Sequence, residues 1–310
     1  MDYQQFINEQ TKQIRETVKN NIAINALSGG VDSSVVTLLG KYAIGEQLKT
    51  CFIDSGLMRE NEPHDVVNTF KQLGVNIELV DARKDFLGAL KGLTDPEQKR
   101  QAVTDTFYAL VFKNLVKKSD AKFLFHGTIL TDVEETLAGI KRQHNILEQL
   151  GIDPQKQYGY QVLEPLKTLR KDGVREVAKL LNLPDSIQKR IPFPGPALAT
   201  RIVGEVTEEK LKIVRQATVI VEEELKDTGA FQYFAVLLQD RATGIKNNKR
   251  EFGQIIVIRC INSTDARTAQ PTELPWPKLH RLTEQILQIP DINRVCYDLT
   301  PKPPATIEYI

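Results

Sequence analysis

The amino-acid sequence predicts an α/β fold, with a parallel sheet covered by helices and then a smaller α+β domain. Short apolar runs alternate with helical patterns through the first half of the chain, which is typical of βα units. After the proline-rich segment 192–196 the order changes to a long helix, two strand-like runs, a helix and a final strand. The chain has 310 residues, of which 41% are hydrophobic, and this length suits about two domains. We therefore expect one domain over 1–192 and a second over 193–310.

Four apolar runs in the first half are short and bounded by turn residues, as buried strands are. They are IAINAL from Ile22, LKTCFIDSG from Leu48, VNIELVDA from Val75 and AKFLFHGT from Ala121. Helical patterns cover 2–19, 33–43, 62–74 and 95–118, and in the first of them Phe6, Ile7, Ile14 and Val18 share a face. Because ligands of parallel sheets bind beyond the carboxyl ends of the strands, we expect a site after Leu27, Ile53, Val80 and Phe125.

The remaining elements follow from the same reasoning. Helices are predicted over 169–184, over 207–227 with Thr207 as N-cap, and over 275–289; strands are predicted over 231–239, 252–261 and 293–300. Segment 129–165 is polar and weakly periodic. A long segment of this kind is often a mobile lid or a binding loop, and we place the lid at about 128–160.

Charge and cysteine content limit the classes of function. The chain carries 41 basic and 40 acidic residues, which gives no reason to expect a nucleic acid or an anionic membrane as the main partner. The N-terminus lacks the apolar core of a signal peptide and no apolar run is long enough to span a membrane, so we expect a cytoplasmic protein. Cys51, Cys260 and Cys296 are far apart and odd in number. We expect no disulfide or metal set, and buried reduced thiols at Cys51 and Cys260.

The turn after the first predicted strand reads Ser-Gly-Gly-Val-Asp-Ser-Ser, residues 28–34. Glycines there let backbone N–H groups point at a ligand, and the next helix adds its positive end. The hydroxyls of Ser28, Ser33 and Ser34 can donate hydrogen bonds to phosphate oxygens. The Walker-type loop and the G-x-G-x-x-G fingerprint are both absent. Spacing alone leaves open an ordinary strand-to-helix turn with Asp32 or Ser33 capping the helix.

This seven-residue string resembles the PP-loop, the pyrophosphate-binding turn of the N-type ATP pyrophosphatases. The resemblance implies an adenine-nucleotide alpha-hydrolase-like domain that uses ATP and Mg²⁺. It also implies that Asp32 is tied to the Mg²⁺, directly or through water. The ATP-binding residues that it implies are Ser28, Gly29, Gly30, Val31, Asp32, Ser33, Ser34 and Asp54.

Longer sequence strings show which PP-loop family the chain resembles. FIDSGLMRENE, HGTILTDVEET, PFPGPALATRIVGEVTEEKL and DLTPKPPATIEYI occur in this order over nearly the whole chain. They resemble the ATP-pyrophosphatase part of the GMP synthetases, in the form of the separate subunit of two-subunit enzymes. The resemblance implies that XMP O2 attacks the α-phosphorus of MgATP, giving adenyl-XMP and pyrophosphate. Ammonia from a glutaminase subunit then displaces AMP and yields GMP. It also implies a homodimer formed through the C-terminal domain.

The C-terminal string KPPATIEYI suits a phosphate site of its own. Lys302 supplies charge, the prolines rigidify the turn, Thr306 offers a hydroxyl, and Glu308 can accept from a purine N–H or a ribose. Alone, Lys302 would be a solvated surface lysine, and Arg100 would be an exposed helix residue. The XMP contacts that the resemblance implies are Arg100, Gln232, Lys302, Thr306, Ile307 and Glu308.

The lid segment departs from the family pattern. Asp132 and Glu135 are one helical turn apart and can face one site. With Lys141, His144 and Asn145 they resemble the lid that closes over ATP and the intermediate. Within the lid, the departures are Thr131 for Pro and Arg142-Gln143 for Ser/Thr-His. Beyond the lid, they are Ala197 for Gly, Asn247-Asn248 for Gly-Asp and Ile310 for an acidic residue.

Two other functions stay open from the sequence because of these departures. One is a PP-loop enzyme with another nucleotide or a tRNA base as acceptor, although the near-neutral charge and the absence of Cys-x-x-Cys argue against tRNA thiolation. The other is a non-catalytic regulator that binds ATP and XMP.

Overall fold

The structure, a computed structural model, describes residues 1–137, 160–246, 248–264 and 266–310. It contains two compact units, each made of several chain segments. The first unit comprises Met1–Asp54, Pro63–Asp81 and Tyr108–Arg190; the second comprises Ser55–Glu62, Ala82–Phe107 and Ile191–Ile310. The last change of unit lies close to the predicted boundary after residue 192. Two segments that the sequence placed in the N-terminal domain, 55–62 and 82–107, pack with the C-terminal residues, and the boundary itself stays a prediction.

The first half of the chain forms helices and strands in alternation. Their bounds are α1 Tyr3–Val18, β1 Ala23–Ala26, α2 Val31–Ile44, β2 Leu48–Asp54, α3 Glu62–Gln72, β3 Ile77–Asp81, α4 Arg83–Leu90, α5 Pro96–Asp105, α6 Lys113–Ser119, β4 Phe123–Phe125, α7 Leu130–Leu137 and β5 Gln161–Leu163. The later elements are α8 Lys171–Leu180, α9 Asp185–Gln188, α10 Glu208–Leu225, β6 Gln232–Lys246, β7 Lys249–Asn262, β8 Gln270–Pro271, α11 Trp276–Ile286 and β9 Ile292–Tyr297.

The sheet of the first unit is parallel, with strand order β3-β2-β1-β4-β5. In the register, Ala23 of β1 lies opposite Leu48 of β2 on one side and Phe123 of β4 on the other. The chain therefore changes direction across the sheet at β1, and ligands of such sheets bind in the crevice at this switch point. The predicted α/β class and its four strands are confirmed.

A fifth strand, β5, was not predicted. It has three residues, Gln161–Leu163, and lies in the segment that the sequence pattern assigned to a polar loop. Three residues are too short to show a strand periodicity, so the strand is defined by its pairing with β4.

Apolar faces hold the first unit together. The residues predicted to share one face of α1, which are Phe6, Ile7, Ile14 and Val18, are all buried. Helix α2 packs closely on the sheet at Gly40, where an added Cβ would lie 2.5 Å from Cε2 of Phe125. The buried thiol predicted at Cys51 is confirmed.

The helix predicted over 95–118 contains a π-helical stretch. It begins at Pro96, where Asp95 accepts a hydrogen bond from the Gln98 N–H at 2.9 Å. Residues Thr106–Phe112 then form a π-helical stretch, and α6 follows it. The Ala102 carbonyl accepts from the Thr106 hydroxyl at 2.8 Å and also from the Thr106 N–H. The predicted long helix is therefore confirmed as one run of helical residues from Pro96 to Ser119, and the π-helical stretch within it was not predicted.

The second unit carries the predicted α+β elements. Strands β6 and β7 form a long antiparallel pair, β8 pairs with the end of β7, and β9 pairs with β7 in parallel. Helix α10 begins after Thr207, whose side chain accepts from the Lys210 N–H, as predicted. Phe234, Val236 and Val257 form a buried cluster, and Cys260 is buried as expected. Among the helices in the described residues, none combines the length and apolar character that crossing a bilayer requires.

Candidate functional site

The turn between β1 and α2 leaves the start of α2 without a side-chain cap. Gly30 is the N-cap residue and α2 begins at Val31, so the alternative that spacing left open, in which Asp32 or Ser33 caps the helix, does not hold. Gly29 has a φ of +76°, and a Cβ there would lie 2.6 Å from Nη1 of Arg190. Arg190 donates to the Gly29 carbonyl at 2.9 Å. The turn thus requires glycine at position 29 and presents helix N–H groups at the switch point, an arrangement that suits an anion.

The three serine hydroxyls of the turn differ in their surroundings. Ser28 is exposed and its Oγ lies 2.9 Å from Oγ of Ser33. Ser33 Oγ also lies 3.0 Å from the Gly30 carbonyl. Ser34 is fully buried and donates to the same carbonyl at 2.8 Å. Ser28 and Ser33 are therefore the hydroxyls at the open side of the turn, whereas Ser34 stabilises it from within.

The Asp32 carboxylate is held by a lysine from a distant helix. Lys171, the first residue of α8, donates from Nζ to Oδ2 of Asp32 at 2.6 Å. The other carboxylate oxygen, Oδ1, is buried and has no hydrogen-bond partner among the described residues. Nowhere among the described residues does a group of three or more His, Cys, Asp or Glu side chains form a possible metal site. A single carboxylate fits Mg²⁺ that is bound mainly by phosphate oxygens and water.

The residues after β4 place the polar side chains of His126 and Thr128 at the carboxyl end of this strand. Gly127 follows β4, and a Cβ there would lie 3.3 Å from the Ser33 nitrogen. The Thr128 hydroxyl donates to Oε1 of Glu164 at 2.5 Å and lies 2.8 Å from Nδ1 of His126. Because the hydroxyl hydrogen goes to Glu164, the Nδ1–H of His126 donates to Thr128. The sequence pattern did not predict these contacts, since Glu164 comes to Thr128 only through folding.

The structure describes Asp54, which was predicted to bind ATP, and only some of the residues that were predicted to form the lid. Asp54 is the last residue of β2 and is half-buried. Asp132 lies at the start of α7, where its Oδ2 accepts from the Ile129 N–H at 3.0 Å. Glu135 is on the same helix, but its side chain lies outside the described part of the structure. Lys141, His144 and Asn145, and the departures Arg142 and Gln143, also lie outside the described residues.

In the second unit, the structure brings Gln232 and Glu308 together. Gln232 Nε2 donates to Oε1 of Glu308 at 2.5 Å. The Thr306 hydroxyl donates to the Glu308 carbonyl. Lys302 donates from Nζ to the Ala266 carbonyl at 2.8 Å. Arg100 is on α5, is exposed, and has its Nε 3.7 Å from Oε1 of Glu97.

Arg259, a buried residue that the sequence pattern did not single out, stabilises the C-terminal segment through backbone hydrogen bonds. Arg259 donates to the carbonyl of Ile307 at 2.8 Å and to that of Thr306 at 2.7 Å. It also pairs with Asp298 at 2.6 Å, and its side chain is 1% exposed. A charged residue inside the apolar run IIVIRCI is the sequence signal that could have shown it, since buried charges need partners.

Comparison with known proteins gives matches over both halves of the chain. Residues 219–309 match the family model described as GMP synthase C terminal domain, and residues 4–125 match that described as NAD synthase. The chain is 47% identical over 310 residues to one of the subunits of the glutamine-hydrolyzing GMP synthase of Archaeoglobus fulgidus, covering 100% of both chains. The chain belongs to this family of GMP synthase subunits. The family is one of glutamine-hydrolysing ligases, and the PP-loop resemblance at Ser28–Ser34 is consistent with it.

Further relatives and one solved structure extend the comparison. The corresponding GMP synthase subunit of Pyrococcus horikoshii is 45% identical over 313 residues, and that of Methanocaldococcus jannaschii is 47% identical over 314 residues. The alignments cover 100% of this chain and of the former protein, and 99% of this chain and of the latter. A structure of the NH3-dependent NAD synthetase from Campylobacter jejuni in complex with the nitrate ion has a TM-score of 0.48 and 19% identity, covering 61% of this chain and 78% of that chain. Membership in the family of GMP synthase subunits confirms the predicted family.

Proposed function

We propose that this chain is the ATP-pyrophosphatase subunit of a two-subunit GMP synthase, which converts XMP, ATP and ammonia to GMP, AMP and pyrophosphate. One observation carries the proposal. The uncapped glycine turn Ser28–Ser34 lies at the switch point of a parallel sheet, in a chain that GMP synthase subunits match from end to end.

The first step is adenylation of the base. XMP O2 attacks the α-phosphorus of ATP, the bond between the α-phosphorus and the bridging oxygen breaks, and pyrophosphate leaves. O2 of a purine is a poor leaving group, and the bound AMP makes it a good one. The turn, through its N–H groups and the Ser28 and Ser33 hydroxyls, holds the departing pyrophosphate. Catalysis of this kind is mainly positioning and stabilisation of phosphate charge.

Two cationic groups support that stabilisation. Mg²⁺, held by Asp32 and the phosphates, would neutralise the negative charge of the triphosphate when bound. Lys171 lies beside Asp32 and adds a positive charge from the protein. The lid residues Asp132, Glu135, Lys141, His144 and Asn145 would close over ATP and the intermediate.

The second unit would bind the XMP. Lys302 and the backbone around Thr306 suit the phosphate, and the pair of Gln232 and Glu308 suits the polar edge of the base or the ribose. Ile307 and Arg100 complete the proposed set. This assignment is supported by the intact string KPPATIE and by the direct contact between Gln232 and Glu308.

The second step is amination. Ammonia attacks C2, AMP leaves with O2, and the nitrogen loses a proton to give GMP. The ammonia would come from a glutaminase subunit that binds this chain. We also propose that the chain forms a homodimer through its C-terminal residues 193–310.

An acceptor screen tests the proposed function. The protein is incubated with ATP, Mg²⁺, an ammonium salt and one acceptor at a time: XMP, IMP, AMP or a tRNA transcript. We expect pyrophosphate and AMP in equal amounts with XMP only. Pyrophosphate release with another acceptor would indicate a diverged PP-loop enzyme. Binding of ATP and XMP by calorimetry without turnover would indicate a regulator.

A further inference from the structure

A fully buried arginine lies next to the proposed nucleotide segment. The Arg201 side chain is 0% exposed, and its guanidinium carbon lies 4.8 Å from the ring centre of Phe193 and 4.4 Å from that of Phe234. Burial lowers the pKa of the Arg201 guanidinium, and the nearby Glu308 carboxylate raises that pKa again. A buried cation is unfavourable unless it is paired. Its partner carboxylate is therefore a fixed part of this environment.

The partner is Glu308, whose carboxylate accepts two hydrogen bonds from the Arg201 guanidinium. Arg201 Nη2 donates to Oε1 of Glu308 at 3.2 Å, and Nε donates to Oε2 at 3.4 Å. Gln232 donates to the same Oε1 at 2.5 Å and also to the Pro192 carbonyl at 3.3 Å. An ionised carboxylate can accept about four hydrogen bonds. The contacts of Arg201 and Gln232 leave acceptor capacity on Oε2, and the Glu308 side chain is 18% exposed.

Gln232 and Glu308 belong to the residues that we propose to contact XMP, whereas Arg201 does not. Arg201 has no exposed surface of its own, so it acts on a ligand only through Glu308. We propose that Arg201 is a positioning residue, which fixes the Glu308 carboxylate so that Oε2 accepts an N–H or O–H of the nucleotide. This rests on the proposed function, because it assumes that Glu308 contacts the nucleotide acceptor.

The physical reason is the ordering of a charged side chain. Without the guanidinium fork, Glu308 keeps only Gln232 as a side-chain partner among the contacts described above and gains freedom to turn towards water. Binding of the nucleotide would then have to order it again and remove water from it, which weakens binding. The turn that we propose for ATP does not involve Glu308. The loss should therefore raise the KM for XMP and leave the KM for ATP nearly unchanged.

Kinetics of four variants test this role: Arg201→Met, Arg201→Lys, Glu308→Gln and the double variant Arg201→Met/Glu308→Gln. Arg215→Met is the control, since Arg215 is another arginine of the second unit and donates to the backbone carbonyls of Met58 and Gly56 rather than to Glu308. Pyrophosphate release is measured against XMP and against ATP. We expect Arg201→Met to raise the KM for XMP by about 10-fold or more, as for a lost hydrogen bond to a charged group. The KM for ATP should change by less than about 2-fold, as should both values for Arg215→Met.

The double variant distinguishes positioning from a general structural role. If Arg201 acts through Glu308, adding Arg201→Met to Glu308→Gln should change the KM for XMP by less than about 2-fold. Arg201→Lys keeps a cation between the rings but lacks the planar fork; it should also raise the KM for XMP, and it decides the matter if Arg201→Met does not fold. Equal increases in both KM values, or full additivity, overturn the inference. If the wild-type protein shows no XMP dependence at all, the proposed function falls and the inference falls with it.

Discussion

Nζ of Lys171 lies 2.6 Å from Oδ2 of Asp32, although 139 residues separate the two in the chain. The contact places a cation beside the one acidic residue of the turn that we propose to hold pyrophosphate. Lys171 is the first residue of α8, so its position depends on the packing of that helix rather than on the turn itself.

Removing this cation should slow the reaction. We expect Lys171→Met to lower the rate of XMP-dependent pyrophosphate release by about 100-fold, similar to the loss of one donor that stabilises a developing negative charge. Lys179→Met is the matched control on the same helix, because Lys179 is exposed and pairs with Glu176. It should retain the wild-type rate. Steady-state rates at saturating XMP and ATP give the comparison, and equal rates for the two variants would contradict the role of Lys171.

A buried lysine in the second unit should make stability depend on pH. Lys99 is 2% exposed and donates to the carbonyls of Ala199, Ile202 and Gly204. Burial lowers the pKa of its ammonium to about 8. Between this value and the ordinary lysine pKa of about 10.4, the unfolded chain therefore holds more protons at this residue than the folded chain. Lys99 then contributes stability that is fully present above the unfolded pKa and is lost as the pH falls through the folded pKa.

The variant Lys99→Met isolates this contribution. Urea unfolding of both proteins at about pH 7, 8, 9 and 10 gives the difference in the free energy of unfolding. We expect the difference to move in favour of the wild-type protein as the pH rises, by at most about 1.4 kcal/mol per pH unit. A difference that stays constant over this range would show that Lys99 titrates alike in the folded and unfolded chains.

These contacts show where the sequence was informative and where it was not. The α1 face, the Thr207 cap and the strands β1 to β4 follow from local patterns, and they were predicted. The partner of Asp32 was not, since only folding brings Lys171 to it. In α5 the sequence pointed to Arg100, whereas its neighbour Lys99 is the buried residue; successive helix residues face different directions, and which of them faces inward depends on segments far along the chain.

Packing of α2 on the sheet should make Gly40 irreplaceable. A Cβ at this position would lie 2.5 Å from Cε2 of Phe125 and 2.8 Å from Cδ2 of Leu48. We expect Gly40→Ala to lower the free energy of unfolding by about 1–3 kcal/mol, because overpacking outweighs the gain in helix propensity. Gly88→Ala on α4 is the control, since no described atom beyond its adjacent residues and its own helix backbone lies within 4 Å of its Cβ position. It should raise stability by up to about 1 kcal/mol. Urea unfolding measures both, and equal signs would contradict the packing at Gly40.

The cysteines should differ in reactivity. Cys51 and Cys260 are buried, and Cys296 is exposed. Burial raises the pKa of the Cys51 thiol to about 12 and also raises that of Cys260. Since the thiolate is the reactive form, we expect a disulfide reagent such as Ellman's reagent to modify Cys296 alone in the native protein. All three cysteines should react in denaturant. Mass spectrometry of the labelled peptides identifies the sites, and rapid labelling of Cys51 in the native protein would contradict its burial.

The most direct test of the proposed chemistry follows the oxygen at C2 of XMP. XMP labelled with ¹⁸O at C2 is incubated with the protein, ATP, Mg²⁺ and an ammonium salt, and the products are analysed by mass spectrometry. If O2 is adenylated and leaves with AMP, every AMP formed carries one ¹⁸O in its phosphate and the GMP carries no ¹⁸O. Unlabelled AMP formed together with GMP would contradict adenylation of XMP O2.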